Sequence, residues 1–329
     1  ANATVNTTGA ITLNGGIFSS SANTLTIGGN FTLNTGATFL HNNGSIQFNG
    51  ASAQQINGTG RPTFHNLDIN SDLSVETQDT TRVSGIITMM SAKTLDADGS
   101  ANNRYLKLLS INDAPFVTDA SIAALPSGAT ISGNVTVERF MKNVVTTNNG
   151  RFYRYIASPV ANATIADLQN EIFVTGNFTG RSLCTNCTTS ASMFYYNEPT
   201  KAYVAYPAVS NTQTLVSGRG YSVYVRGNLV TSTKFDLRGT IVHANDTDFD
   251  FHVTDSGDGW NLVGNPFAST IDWTSNTGWT KTNIDNAVYI TTNTDPSGTK
   301  FASCVNGIHT LPPSADAATK VNLIASGQG

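Results

Sequence analysis

Along the first hundred residues, apolar and polar positions alternate in short bursts. Ile11-Thr12-Leu13, Leu25-Thr26-Ile27, Phe31-Thr32-Leu33, Thr38-Phe39-Leu40 and Ile46-Gln47-Phe48 show apolar-polar-apolar alternation or a frayed version of it, the pattern of one strand face. Gln55-Ile56-Asn57, Phe64-His65-Asn66-Leu67-Asp68-Ile69, Leu73-Ser74-Val75, residues 83–89, Leu95 and Leu106-Lys107-Leu108 continue the series. Many of the bursts run into Gly or Asn, as at Gly15-Gly16, Gly28-Gly29-Asn30, Asn42-Asn43-Gly44 and Asn57-Gly58. Those residues accept the left-handed backbone that sharp corners need. Strands this short cannot bury a face alone, but stacked as rungs of a coil they share one core. A meandering antiparallel sandwich gives similar strand lengths; the periodicity favours the solenoid.

Asn112-Asp113-Ala114-Pro115 breaks the ladder, and residues 120–125 read as one helical turn before Pro126-Ser127-Gly128. Beyond Gly133 the strands lengthen and Tyr becomes frequent. Strands are expected at 153–157, 193–197, 202–206, 220–226, 234–239, 249–253, 260–264 and 287–291, with one short helix at 165–170 capped by Thr164. Within this series, residues 259–267 read as a buried strand running into a tight turn. Many strands and almost no helix describe a jelly-roll-like β-sandwich. The expected organisation is all-β: a β-helix-like repeat domain over 1–112, a linker over 113–130 and a β-sandwich module over 131–329.

Composition narrows the partners. The 329 residues are enough for two cores, and charged residues make up 12% of them, about half the usual share. Ser, Thr, Asn and Gly take their place, while plentiful aromatic and β-branched residues exclude disorder. A net charge of −4 and a pI near 5.7 give no electrostatic case for nucleic acid or an anionic membrane. No apolar run approaches the roughly 20 residues of a membrane span. Without a signal-like segment, Ala1 reads as the start of a mature chain.

Several spaced blocks carry a resemblance. Gly29-Asn30-Phe31-Thr32, Gly44-Ser45-Ile46-Gln47-Phe48-Asn49-Gly50, Gln54-Gln55-Ile56-Asn57-Gly58 and Phe64-His65-Asn66-Leu67-Asp68-Ile69-Asn70 follow one another in the first third. Arg154-Tyr155-Ile156-Ala157-Ser158-Pro159-Val160, Gly218-Arg219-Gly220-Tyr221-Ser222-Val223-Tyr224, Gly259-Trp260-Asn261-Leu262-Val263-Gly264-Asn265-Pro266-Phe267, Ser269-Thr270-Ile271-Asp272-Trp273 and Ile324-Ala325-Ser326-Gly327-Gln328-Gly329 follow in the second part. The first set resembles the repeats, and the second the C-terminal β-sandwich module, of secreted surface proteins of Bacteroidetes-type bacteria. The resemblance implies a right-handed parallel β-helix over about residues 10 to 110, export through the type 9 secretion machinery, and display at the cell surface. It brings no catalytic residues. In such modules the Ser326-Gly327-Gln328-Gly329 turn leads into a further apolar strand. The expectation is therefore that residues beyond Gly329, or a strand from a neighbouring subunit, complete the sheet.

Candidate chemistry is sparse. Cys184-Thr185-Asn186-Cys187 has the spacing of a zinc or redox half-site, but neither two further ligands nor a βαβ setting accompanies it. A structural disulfide is the expected state in an oxidising compartment, with Cys184–Cys187 narrowly ahead of a pairing of either with Cys304, and the sequence does not fix the connectivity. The five histidines lack metal-ligand spacing, and no Ser nucleophile elbow, Walker loop or dinucleotide fingerprint occurs. The early carboxylates fall mostly at turns, where Asp serves bends without chemistry. No cofactor is expected; calcium is the one that the acidic turns at 96–100, 245–248 and 255–259 suggest, and the reading of each as a solvated turn comes first. Asp79-Thr80-Thr81 resembles the acceptor that such bacteria use for O-glycans, making Thr80 the modification candidate. Trp273 and Trp279 read either as core or rim residues or as rings that stack on sugars. The expected function is a non-enzymatic, secreted structural or adhesive surface protein, an extracellular filament component among its forms, with self-assembly or surface glycans as partners. The alternative is carbohydrate binding or polysaccharide processing.

Overall fold

The computed structural model describes residues 5–100, 105–113, 116–141, 152–183, 189–225, 233–243, 249–251, 253–291, 301–310 and 323–324. The fold is all-β, and its first part is a β-solenoid of about five turns. Strands β1 (Val5–Thr7), β2 (Ile11–Leu13) and β3 (Gly16–Ser19) begin it, followed by β4 (Leu25–Ile27), β5 (Phe31–Leu33) and β6 (Ala37–Leu40). Next come β7 (Ser45–Phe48), β8 (Gln54–Asn57) and β9 (Thr63–Phe64), then β10 (Asn66–Ile69), β11 (Leu73–Val75) and β12 (Thr80–Val83). The triplet β13 (Ile86–Met89), β14 (Thr94–Asp96) and β15 (Tyr105–Leu108) precedes an inserted antiparallel hairpin, β16 (Ser110–Asp113) and β17 (Phe116–Asp119). Strands β18 (Ser121–Ile122), β19 (Thr130–Ser132) and β20 (Val135–Met141) resume the coil. Equivalent strands stack in parallel as β1-β4-β7-β10-β13-β18 and β2-β5-β8-β11-β14-β19.

The in-register pairing turns the sequence alternation into columns. Leu25, Ile46, Leu67 and Ile87 form one buried column, and Ile27, Phe48, Ile69 and Met89 the next. Between them Thr26, Gln47, Asp68 and Thr88 make a polar column on the opposite face, with Thr26 Oγ1 donating to Gln47 Oε1 at 3.2 Å. At another corner Phe31, Phe39 and Phe64 cluster with centroids 5.3–5.6 Å apart. Burying each such ring stabilises the coil by about 1.5–3 kcal/mol. Among the polar side chains sealed in this core, Gln54 makes the longest set of bonds between turns. Gln54 donates to the Ile27 and Gly29 carbonyls and accepts from the Gly50 amide and the Ser71 hydroxyl, so it bridges successive turns.

The glycine corners have two different causes. Gly58 has φ +110°, and a Cβ there would lie 2.0 Å from the Leu33 carbonyl oxygen of the turn before. Gly28 and Gly29 need no left-handed backbone. Added Cβ atoms there would meet the Thr8 carbonyl oxygen at 2.5 Å and the Ala10 nitrogen at 2.6 Å. The glycine pair is thus required by close stacking of turns, not by the conformational freedom expected of it.

Two compact units divide the chain: residues 1–139 with 237–249, and residues 140–236 with 250–329. The first unit therefore runs past the breaker at 112, because the paired strands β16 and β17 are inserted in one turn and the coil then continues. For the same reason no helical turn forms at 120–125; Ser121 and Ile122 pair with Ile86 and Ile87 instead.

The second unit contributes β21 (Phe152–Ile156), β22 (Met193–Asn197), β23 (Ala202–Ala205) and β24 (Tyr221–Val225), paired in the order β21-β24-β22-β23. Strand β25 (Thr233–Gly239) joins the third solenoid sheet, β25-β20-β15-β12-β9. Beyond it β26 (Ile271–Asp272) pairs with β30 (Leu323–Ile324), and β27 (Ala287–Thr291), β28 (Phe301–Val305) and β29 (Ile308–Thr310) form a three-stranded sheet. Helix α1 (Ile165–Leu168) carries the expected cap: Thr164 Oγ1 accepts from the Asp167 amide, and the Asp167 carboxylate accepts from the Thr164 amide. The stretch around Trp260 departs from expectation. Trp260 is 56% exposed, and the segment's strand pairing is reduced to one bridge between Val263 and Arg219. The turn after it holds, with buried Asn265 accepting from the Phe267 amide and donating to the Ser269 carbonyl.

Candidate functional site: an aromatic sheet face

Strand alternation gives the β21–β24 sheet two unlike faces. Ile156, Met193, Tyr221, Val223 and Val225 fill the buried one. The opposite face follows from the register: Tyr153 lies beside Tyr224, Tyr155 beside Ser222, Ser222 beside Phe194, Phe194 beside Ala205, and Tyr196 beside Tyr203. Six of these eight side chains are aromatic. Tyr153 and Tyr203 are each 49% exposed, and Tyr155, Phe194, Tyr196 and Tyr224 are half-buried. Ring centroids are 5.0 Å apart for Tyr153–Tyr224, 6.5 Å for Tyr153–Phe194 and 5.3 Å for Tyr196–Tyr203, with planes inclined by 50–64°.

The hydroxyls are ordered too. Tyr155 and Tyr203 reach across the sheet until their oxygens lie 2.7 Å apart. Burial first, then this bond, pushes the Tyr203 phenol well above its usual range. Tyr196 donates to Asp258 Oδ2 at 2.6 Å, which with burial raises its pKa to about 12. The Tyr196 and Tyr203 phenols therefore stay protonated at ordinary pH. Chemically, the face offers ring surfaces, hydroxyl donors and acceptors, and no formal charge at its eight positions.

The loop that supplies Asp258 is fixed by a carboxylate. Glu198, on the short 3-10 turn Glu198–Thr200, is buried and accepts from the amides of Ser256 (3.1 Å), Gly259 (3.0 Å) and Gly257. Burial alone would raise its pKa; the Gly259 amide, the Thr254 side chain and the Ser256 and Gly257 amides overcome this and hold it at about 2. The acidic turn at 255–259 therefore points amide donors inward, the reverse of a calcium loop. At 96–100 the carboxylates are likewise engaged: Asp96 accepts from the Gly99 amide, and Asp98 from the amide and side chain of Asn134. Among the described residues no group of three or more His, Cys, Asp or Glu side chains could hold a metal ion. The turn at 245–248 and the pair Cys184 and Cys187 lie outside the described residues; Cys304 is a buried free thiol.

Trp273 and Trp279 are half-buried and lie edge to face at 5.1 Å. Lys281 Nζ stands 4.0 Å over the Trp273 ring and donates to the Trp273 carbonyl, while Trp279 Nε1 donates to the Asp272 carbonyl. An ammonium group thus covers one face of Trp273. Thr80 sits half-exposed at the start of β12, its amide held by Asp79 Oδ1 and Asp79 in turn paired with Arg61 at 2.8 Å. The aromatic face had a signal in the sequence: aromatics two apart at Tyr153 and Tyr155 and at Phe194 and Tyr196. That spacing equally describes a buried strand face.

Among the described residues no helix is long and apolar enough to cross a membrane. No protein-family model, curated protein or solved structure matches the chain.

Proposed function

We propose that the chain is a non-enzymatic, secreted cell-surface protein with a structural or adhesive role. The solenoid, in the right-handed form usual for parallel crossovers, serves as a stiff spacer, and the second unit, a jelly-roll-like β-sandwich, as the contact module. Export through a type 9 secretion system rests on the resemblance of the sequence blocks around Arg154, Gly218 and Trp260. One observation carries the adhesive reading: the outward side of the β21–β24 sheet is paved with tyrosine, whereas the equivalent column of the solenoid is Thr26, Gln47, Asp68 and Thr88. A sheet that only had to be wet would resemble the solenoid. Large exposed aromatic patches mark binding surfaces.

The test is retention of protein-coated beads on extracellular matrix from a biofilm. Beads carrying the Tyr153→Ala/Tyr203→Ala double variant should detach at clearly lower shear than beads carrying the parent. Equal retention of the two would remove the contact role of this face.

A further inference from the structure

We infer that the aromatic face of the β21–β24 sheet binds a short, neutral oligosaccharide laid across the strands. This rests on the contact reading above and names what the contact recognises. Adjacent strands lie about 4.8 Å apart, and the spacings of 5.0 Å for Tyr153–Tyr224 and 5.3 Å for Tyr196–Tyr203, rings on neighbouring strands, follow from that repeat. A chain of pyranose rings has a repeat of the same order, so crossing the strands brings successive sugars over the Tyr153–Tyr224 pair and then the Tyr196–Tyr203 pair.

The chemistry matches in two further respects. A pyranose has an apolar C–H face and a rim of hydroxyls; tyrosine has an apolar ring and one hydroxyl. The Tyr155–Tyr203 pair uses one O–H in its own hydrogen bond, which leaves the other O–H and several lone pairs for a ligand. Charge narrows the class. With no formal charge among Tyr153, Tyr155, Phe194, Tyr196, Tyr203 and Tyr224, nothing repays the desolvation of sulfate or uronate groups, and a neutral sugar complements the face. The ring planes are inclined by 50–64°, so they follow a twisted single chain in solution and cannot lie flat on a crystalline polymer.

Titration with neutral hexasaccharides (β-1,4- and β-1,3-gluco, β-1,4-manno and β-1,4-xylo) and with a hexagalacturonate tests this, read by tyrosine fluorescence and calorimetry. At least one neutral sugar should bind, the acidic one more weakly by tenfold or more. Tyr153→Ala and Tyr203→Ala should each weaken binding at least tenfold. Tyr203→Phe, which keeps the ring and so the packing, should weaken it several-fold. Absence of binding by every neutral sugar, or binding unchanged in both alanine variants, overturns the inference. The bead assay separates the two levels: retention that depends on the tyrosines and is lost after periodate treatment of the matrix supports a glycan. Tyrosine-dependent retention that survives periodate but not protease keeps the contact reading and overturns the sugar. A dimer in sedimentation that the double alanine variant abolishes overturns it as well.

Discussion

At the scale of single residues, stability here depends on a few polar groups whose partners are all within the protein. Gln54 is the clearest. Removing its amide leaves the half-buried Gly29 carbonyl and Gly50 amide and the buried Ser71 hydroxyl without this partner, while the Ile27 carbonyl keeps the Asn49 amide, and each orphaned group costs about 1–3 kcal/mol. Gln54→Ala should therefore lower the solenoid's unfolding free energy by several kcal/mol in a denaturant titration; a change under about 0.5 kcal/mol, the level of an ordinary surface substitution, would show that water replaces the amide. His41 is a second such residue. Its ring stacks on His65 of the next turn at 5.6 Å, and its Nδ1 accepts from the Asn43 amide, which only a neutral imidazole can do. The neighbours Ser20, Phe39, Gly44, Ser45, Ile46, Phe64 and Asn66 are uncharged. Burial first, then the His65 charge, lowers the His41 pKa from 6.5. The stabilisation is complete above 6.5 and is lost as pH falls through the lowered value. Glu198 has a separate window: its stabilisation is complete above the ordinary value of 4.5 and disappears toward about 2. Melting temperature should therefore drop in two acid steps. His41→Gln should flatten the step that begins near pH 6.5 and leave the one below 4.5 intact; a profile unaltered by that change would place the first step elsewhere.

The elements show how a polar sequence builds a coil. Phe64→Ala removes the ring that meets both Phe31 and Phe39, and a buried Phe truncation costs about 3–5 kcal/mol. Gly58→Ala should cost more than the about 1–2 kcal/mol of its left-handed backbone, since the new methyl also strikes the Leu33 carbonyl. Chemical denaturation of both variants checks the pair; a neutral Gly58→Ala would mean that the corner can open without loss. The solenoid was legible in the sequence for the reason these changes hurt: apolar residues two apart, cut every few positions by Gly or Asn, allow few folded arrangements. Strands β21 to β24 were legible on the same ground. Residues 259–264 were not, because Trp260 and Leu262 have strand spacing while Asp258 and the Glu198-bound turn draw the backbone away from a ladder. The aromatic face was hidden by a symmetry of pattern. Alternation shows that two faces differ but not which one faces water, and in β21 the tyrosines, normally the inner residues, lie outside while Ile156 lies within.

Across the whole molecule, burial is unevenly shared, and local stability should follow it. The solenoid stacks fully buried columns several side chains deep. Among the described residues, the β27–β29 sheet encloses only Ile290, Ala302 and Cys304, with Val288 packed against them, and leaves Tyr289, Phe301 and Ile308 exposed. Such a sheet opens at low cost, and Cys304 reports the opening because its thiol is inaccessible until the strands part. Under native conditions a thiol reagent, read at the peptide containing Cys304 by mass spectrometry, should label that residue far faster than global unfolding permits. Ile290→Ala removes most of the cluster and weakens the sheet by about 2–5 kcal/mol, so labelling should accelerate at least tenfold while the main melting transition barely moves. Phe64→Ala, which weakens the solenoid by a similar amount, should leave Cys304 labelling unchanged, because its ring lies in the other compact unit. If Phe64→Ala accelerates labelling as much as Ile290→Ala does, the chain unfolds as one cooperative body, and the division of burial seen in the structure does not govern its stability.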